Sequence, residues 1–125
     1  MKKVTGIGGV ILKCKDSQKM NDWYKTHLGI NAVEAGAIFN WVEMDENAKP
    51  ASTTWSMVDE NSDVFRLTNA DYLITYRVSD LETLLVTLKS QGVSILDNIS
   101  TFAYGKQVHI LDGEGNKIQL WQAAE

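Results

Sequence analysis

Two histidines, one cysteine and sixteen carboxylates are the side chains of this 125-residue chain best equipped for chemistry. One histidine stands out by its setting. In "HILDGEGNKIQLW", His109 to Trp121, it precedes a turn rich in acids and glycines, and Gln119 follows the turn. Two chemistries are open to it. His109 could act alone as an acid or base, since imidazole changes protonation near neutral pH. Alternatively, His109, Gln119 and Glu43 could form a non-standard metal set, since a catalytic metal takes about three protein ligands and keeps one position open. The acids of "DGEGN" (Asp112 to Asn116) alternate as in a calcium loop, but Lys117 stands where such a loop needs glycine and no glutamate closes it. Gly, Asp and Asn are turn formers, so a hairpin turn is predicted.

Other candidates are weighed against plainer roles. Lys13 and Arg77 could attract a carboxylate or phosphate at a shared mouth, or could end their strands with the charge in water. Phe39, Trp41, Trp55, Tyr104 and Trp121 could line a pocket for a planar ligand, or pack in a core or dimer interface. His27 falls on the apolar stripe of a helix and is expected to pack near its end. Cys14 is expected to be a small core residue. "GIGG" (Gly6 to Gly9) is no dinucleotide fingerprint, because no strand precedes it and no helix follows.

The elements that carry these residues are written twice. "VILKCKDSQKMNDWYKTHLGI" (Val10 to Ile30) matches "ITYRVSDLETLLVTLKSQGV" (Ile74 to Val93): a strand-like run, a basic residue, an aspartate, a helical pattern, then glycine. Met20, Trp23, Tyr24, His27 and Leu28 form one helical stripe, and Leu81, Leu84, Leu85 and Leu88 form another. Ser79 and Glu82 have capping-box spacing, which predicts a helix start at Ser79. Gly29 and Gly92 are natural helix stops. Strands are predicted over Ala37 to Met44, Ser52 to Val58, Thr101 to Leu111 and Asn116 to Gln122. The chain therefore reads as one domain, 1–125: a first β-α-β-β-β module (1–58), a linker (59–71) and a second module (72–125). Strand alternation puts Ile7, Gly9, Ile11 and Lys13 on one face of the first strand, and Gly8, Val10, Leu12 and Cys14 on the helix side. In the second module Leu73, Thr75, Arg77, His109, Lys117, Gln119 and Trp121 share the face away from the helix.

The tandem order, with "LITYRVSDLETLLVTLKSQGV" and "YGKQVHILDGEGNKIQLWQ", resembles the vicinal oxygen chelate superfamily of glyoxalase I, bleomycin-resistance proteins and extradiol dioxygenases. The resemblance covers nearly the whole chain. It implies an α+β fold of two modules whose curled, cup-shaped mixed sheet carries its helices outside. It also implies a homodimer, and in many members a divalent metal in the cup. The ligand positions fall here on Gly9, Leu73 and Gln119, with a fourth within Thr53 to Ser56. Glycine and leucine offer no donor, so no metal is expected at the usual site and no cofactor is predicted.

The expected function is binding of a small molecule in a cup lined by Ile11, Lys13, Thr75, Arg77, His109, Gln119 and Trp121. Lys13 and Arg77 would repel a cation, so the ligand is expected to be neutral or anionic, and bleomycin resistance itself is not expected. The alternative is a related lyase or oxidoreductase with a non-standard metal set or with His109 as acid or base. A third reading is a structural role, with the aromatics forming a dimer surface. A net charge of −4 without a basic stripe excludes an electrostatic nucleic-acid surface. No signal peptide or membrane span is found. With a single cysteine unable to form an intrachain disulfide, the expected location is the cytoplasm.

Overall fold

The computed structural model describes residues 4–32, 36–43 and 47–124. Their elements are β1 (Val4–Cys14), α1 (Ser17–Leu28), β2 (Ala37–Val42), β3 (Pro50–Asp59), a 3₁₀ turn (Asp63–Phe65), β4 (Tyr72–Val78), α2 (Leu81–Ser90), β5 (Ser100–Phe102), β6 (Gly105–Leu111) and β7 (Lys117–Ala123). This is an α+β protein with a seven-stranded mixed sheet in the order β2-β3-β1-β4-β7-β6-β5. The chain forms two compact units, one through Gly8 together with Ile74 onward, the other Gly9–Leu73.

The repeat seen in the sequence reappears as repeated topology. In the Gly9–Leu73 unit, β1 pairs parallel with β3, which pairs antiparallel with β2. In the other unit, β4 pairs parallel with β7, which pairs antiparallel with β6. A parallel pair needs a long crossover, and the helix supplies it.

The repeated aspartate has a structural task in both copies. Asp16 caps α1 by accepting from Lys19 N at 3.1 Å. Asp80 caps α2 by accepting from Thr83 N at 3.2 Å and from Thr83 Oγ1 at 2.8 Å. The start expected at Ser79 is therefore early: the cap falls one residue later, on Asp80, and the helix begins at Leu81. The Asp80 carboxylate takes the free N–H of the first turn, which a capping residue must do. Gly29 (φ 71°) and Gly92 (φ 80°) follow the helices in left-handed conformations that glycine adopts without strain.

Packing is unequal. Leu81, Leu84 and Leu85 of α2 are buried against Val78, Val108, Ile110 and Leu120, with Tyr76 and Ile118 packed beside them. This confirms the expected helix-side faces of β4, β6 and β7. The apolar stripe of α1 is only partly used. Tyr24 meets Trp55 edge-on at 4.8 Å, but no α1 residue is fully buried, and Trp23 and Leu28 remain 49% and 60% exposed. His27 is exposed too, with its ring 4.8 Å from that of Trp23.

The strand expected over Thr101 to Leu111 folds back on itself. Ala103 and Tyr104 turn, and β5 pairs antiparallel with β6. Gly105 makes this reversal at φ 142°, where a Cβ would lie 2.2 Å from Gln122 O. In the strand expected over Ala37 to Met44, the ladder ends at Val42, and Met44 lies outside the described residues. Cys14, expected in the core, is half-buried, and its thiol donates to Val58 O at 3.5 Å.

Candidate functional site

Three adjacent strands set up a buried polar row. Thr75 of β4 stands opposite Gln119 of β7, and Gln119 stands opposite His109 of β6. Residues directly opposite each other share a face, so the three side chains line up across the sheet on the side away from α2. All three are buried. Thr75 Oγ1 donates to Gln119 Oε1 at 2.7 Å. That bond satisfies one end of the pair in a place where an unpaired polar group would cost about 1–3 kcal/mol.

His109 is held from behind. The segment before β5 runs along β6: Ile95 bridges Ile110, Leu96 N–H donates to His109 O at 2.9 Å, and Leu111 N–H donates to Ser94 O at 3.0 Å. This pairing delivers Asp97 to the histidine. Asp97 Oδ1 accepts from the His109 backbone N–H at 2.8 Å, and Oδ2 lies 2.7 Å from Nδ1. A carboxylate can only accept, so Nδ1 carries a hydrogen, and in the neutral tautomer of the ring this leaves Nε2 as an acceptor. That Nε2 is buried and has no hydrogen-bond partner. Nothing in the sequence singles out Asp97. It sits in a loop twelve residues before His109, where an acid is unremarkable, and no periodicity marks it.

A second row lies beside the first. Arg77 pairs with Trp121, and Trp121 with Gln107. The Arg77 guanidinium lies 5.4 Å from the Trp121 ring centre, a cation–π contact. The indole ring fits because two glycines leave room. A Cβ at Gly8 would lie 3.0 Å from Trp121 Cε3, and one at Gly105 would lie 2.6 Å from Nε1. Nε1 is buried without a partner. Gly8, expected on the helix side of the first strand, instead faces Trp121 and Arg77, and Trp121 takes up the room it leaves.

The remaining candidates belong to the Gly9–Leu73 unit. Trp55 faces α1 and pairs with Val10, so Gly9, Ile11 and Lys13 share the opposite face with Thr54 and Ser56. This narrows the fourth position to Thr54 or Ser56, since Thr53 Oγ1 accepts from Trp41 Nε1 at 2.8 Å on the other side. The Lys13 ammonium sits 4.8 Å from the Phe65 ring centre. Glu43 follows β2, with its N–H on Lys49 O at 2.9 Å.

The metal implied by the resemblance does not fit these residues. Gly9 has no side chain, Leu73 is a fully buried hydrocarbon, and the Gln119 oxygen is already engaged by Thr75. Among the described residues no three His, Cys, Asp or Glu side chains gather as a metal would need. The calcium-like turn is closed by its own bonds. Asp112 accepts from Glu114 N, Asn116 N and Asn116 Nδ2, and the Asn116 bonds hold its carboxyl below the ordinary range.

Two hollows lie elsewhere. One, about 330 Å³, is an apolar groove under α2 between Val4, Tyr76, Leu84, Leu88 and Ile118. The other, about 470 Å³, borders the start of α1 at Asp16, Asp59 and Glu60. Among the described residues no helix is long and apolar enough to cross a membrane.

These paired units, with crossover helices and returning hairpins, are those of the vicinal oxygen chelate fold, and solved structures agree. The chain is similar to methylmalonyl-CoA epimerase from Mycobacterium tuberculosis, with 24% identity and a TM-score of 0.65 over 100% of this chain and 92% of that one. It is also similar to a Streptomyces coelicolor methylmalonyl-CoA epimerase variant in complex with 2-nitronate-propionyl-CoA, with 15% identity and a TM-score of 0.72 over 98% and 99%. A methylmalonyl-CoA epimerase in complex with methylmalonyl-CoA and NH4+ matches at 16% identity and a TM-score of 0.71 over 97% and 96%. Those epimerases belong to the glyoxalase I-like superfamily. No protein-family model and no curated protein matches the chain.

Proposed function

We propose that this protein binds a neutral or anionic small molecule on the polar face of β4, β7 and β6, without the metal that many proteins of its fold carry. The observation that supports this reading most is the buried His109 Nε2. A core built only for stability does not leave an oriented acceptor unpaired, since that costs about 1–3 kcal/mol. Thr75, Gln119, Arg77 and Trp121 share the face. Ile11 and Lys13, expected from the sequence as further ligand contacts, belong to the Gly9–Leu73 unit. The neighbouring epimerases bound to CoA derivatives lend support by analogy of fold alone.

A thermal-shift screen of small carboxylates and aromatic compounds tests this. A ligand that binds only the folded state raises its stability by about 2.7 kcal/mol at a hundred times its Kd, which is a shift of several degrees. Binding that survives His109→Ala and Gln119→Ala together would refute the site. Elemental analysis of untagged protein tests the metal-free part, and a stoichiometric Mn, Fe, Co, Ni or Zn would overturn it.

The Asp97–His109 contact favours a second reading. A carboxylate-oriented imidazole with a bare second nitrogen is a competent general base, so the protein would be an enzyme of lyase or oxidoreductase type. Turnover of a bound compound that is abolished by His109→Ala would choose this reading over simple binding.

We also propose a homodimer, supported by exposed Ile38, Phe39 and Val42 on the edge strand β2. Light scattering should give twice the chain mass; a monomer at micromolar concentration would overturn it. We assign the protein to the cytoplasm, a reducing compartment that suits the free Cys14.

A further inference from the structure

The hydrogen-bond polarity of the His109 ring limits what can occupy the site. With Nδ1–H directed at Asp97, the neutral tautomer of the ring offers a lone pair and no hydrogen at Nε2. Ketones, ethers and thioethers have nothing to give it; a hydroxyl or an N–H does. A metal could also take a lone pair, but no third His, Cys, Asp or Glu joins this pair among the described residues. Charge narrows the class further. By strand alternation Arg77 and Lys117 lie on the face of Gln119, whereas Asp97 approaches from the loop alongside β6.

We propose that the site selects molecules carrying both a carboxylate and a hydroxyl, with the hydroxyl donating to His109 Nε2. Asp97 is the positioning residue that sets this preference by fixing the tautomer. The inference rests on the binding reading above and deepens it.

Asp97→Asn inverts the polarity at nearly constant shape. An amide nitrogen at position 97 donates to Nδ1, so the ring hydrogen moves to Nε2 and the acceptor becomes a donor. The experiment uses the full chain with ¹⁵N-labelled histidine. Long-range proton–nitrogen correlations report the tautomer, and His27→Ala assigns the only other histidine. The expected result is a bare Nε2 in the wild type and a protonated Nε2 in Asp97→Asn.

The probes are 3-hydroxybenzoate against 3-methoxybenzoate, and lactate against 2-methoxypropionate. In the wild type the hydroxylated member of each pair should bind at least about tenfold tighter, which is about 1.4 kcal/mol, and should move the Nε2 resonance. In Asp97→Asn the ratio should fall below about twofold.

A protonated Nε2 in the wild type overturns the proposal without any ligand. Ethers that bind as tightly as alcohols overturn it too. Hydroxy acids that shift the Trp121 indole resonance but leave Nε2 unmoved overturn it while the binding reading stands. Probes that move neither resonance exclude hydroxy acids as the class; the binding reading is then judged by the wider thermal-shift screen.

Discussion

Gly105→Ala is the substitution for which the structure sets the largest penalty per atom added. The residue opens β6 at φ 142°, in a region essentially reserved for glycine. A single methyl there would lie 2.2 Å from Gln122 O, 2.6 Å from Trp121 Nε1 and 3.1 Å from Ala123 Cα. Two of those neighbours are backbone of the paired strand β7, so relief requires opening the Gly105–Ala123 end of the ladder. The disfavoured dihedral costs about 1–3 kcal/mol, and forcing a methyl into filled space about 1–3 kcal/mol more. The sum is about 2–6 kcal/mol. At roughly 3–5 °C per kcal/mol for a chain of this length, Tm should fall by about 15 °C. Calorimetry or urea denaturation followed by tryptophan fluorescence measures it. Gly113→Ala, in the open hairpin turn with nothing within 4 Å of the added methyl, is the control and should stay within about 0.5 kcal/mol. If Gly105→Ala proved as silent as Gly113→Ala, the β5–β6 reversal and the seat of Trp121 would both be misplaced.

Leu81→Ala removes a fully buried side chain from beneath α2 and should cost about 2–5 kcal/mol by chemical denaturation. Gln119→Glu places a carboxylate at the last of the implied ligand positions but should leave the protein with under about a tenth of an equivalent of metal, since Gly9 and Leu73 still offer no donor. Asp112 and Asp80 are held below the ordinary carboxyl value of 3.8 by their bonds to Asn116 and Thr83. A depressed folded pKa contributes stability above the unfolded value and loses it as pH falls through the folded one. Asp112→Ala should therefore destabilise by a constant amount at neutral pH, and the difference from wild type should shrink below pH 3.8. Burial, then the nearby Asp59 and Asp16 carboxylates, raise the Cys14 thiol above 9.0, so it should react slowly with a disulfide reagent at pH 7 and faster as pH rises above 9.

The parts legible in the sequence are those fixed by repetition and by period. The duplicated strand–aspartate–helix–glycine order yields both crossover units, because each piece has its own local signal. Alternation correctly assigns the faces of β4, β6 and β7, because their inward residues are buried against a leucine-rich α2. The same reasoning misjudges α1. Its stripe is as periodic as that of α2, yet Trp23 and Leu28 stay exposed, and periodicity alone does not say how much surface a partner covers. The β5–β6 reversal is hidden because "TFAYGKQVHIL" reads as one strand, and only the conformation at Gly105 breaks it. Asp97 is illegible for a different reason. Its importance lies in a loop that pairs with β6 at long range, and no composition or spacing near it carries that information.

His109 now raises a question of stability against function, and His109→Leu answers it. The substitution is close in volume and keeps the backbone N–H on Asp97 Oδ1. It removes the Nδ1 bond to Oδ2, which contributes about 1–2 kcal/mol at most, because the Asp97 side chain is 45% exposed and water can replace the partner. It also removes the unpaired, buried Nε2, whose desolvation costs about 1–3 kcal/mol. The two effects nearly cancel, so stability should change by less than about 1 kcal/mol, while affinity for a hydroxy acid falls at least about tenfold. An ordinary core residue behaves in the opposite way, losing stability when its chemistry is changed and leaving binding untouched. A loss of about 3 kcal/mol or more in urea denaturation would identify His109 as a structural residue and remove the main support for the proposed site. A neutral or stabilising effect fits a side chain retained for what it contacts outside the fold, in line with the expectation that local rules are broken mainly at functional sites.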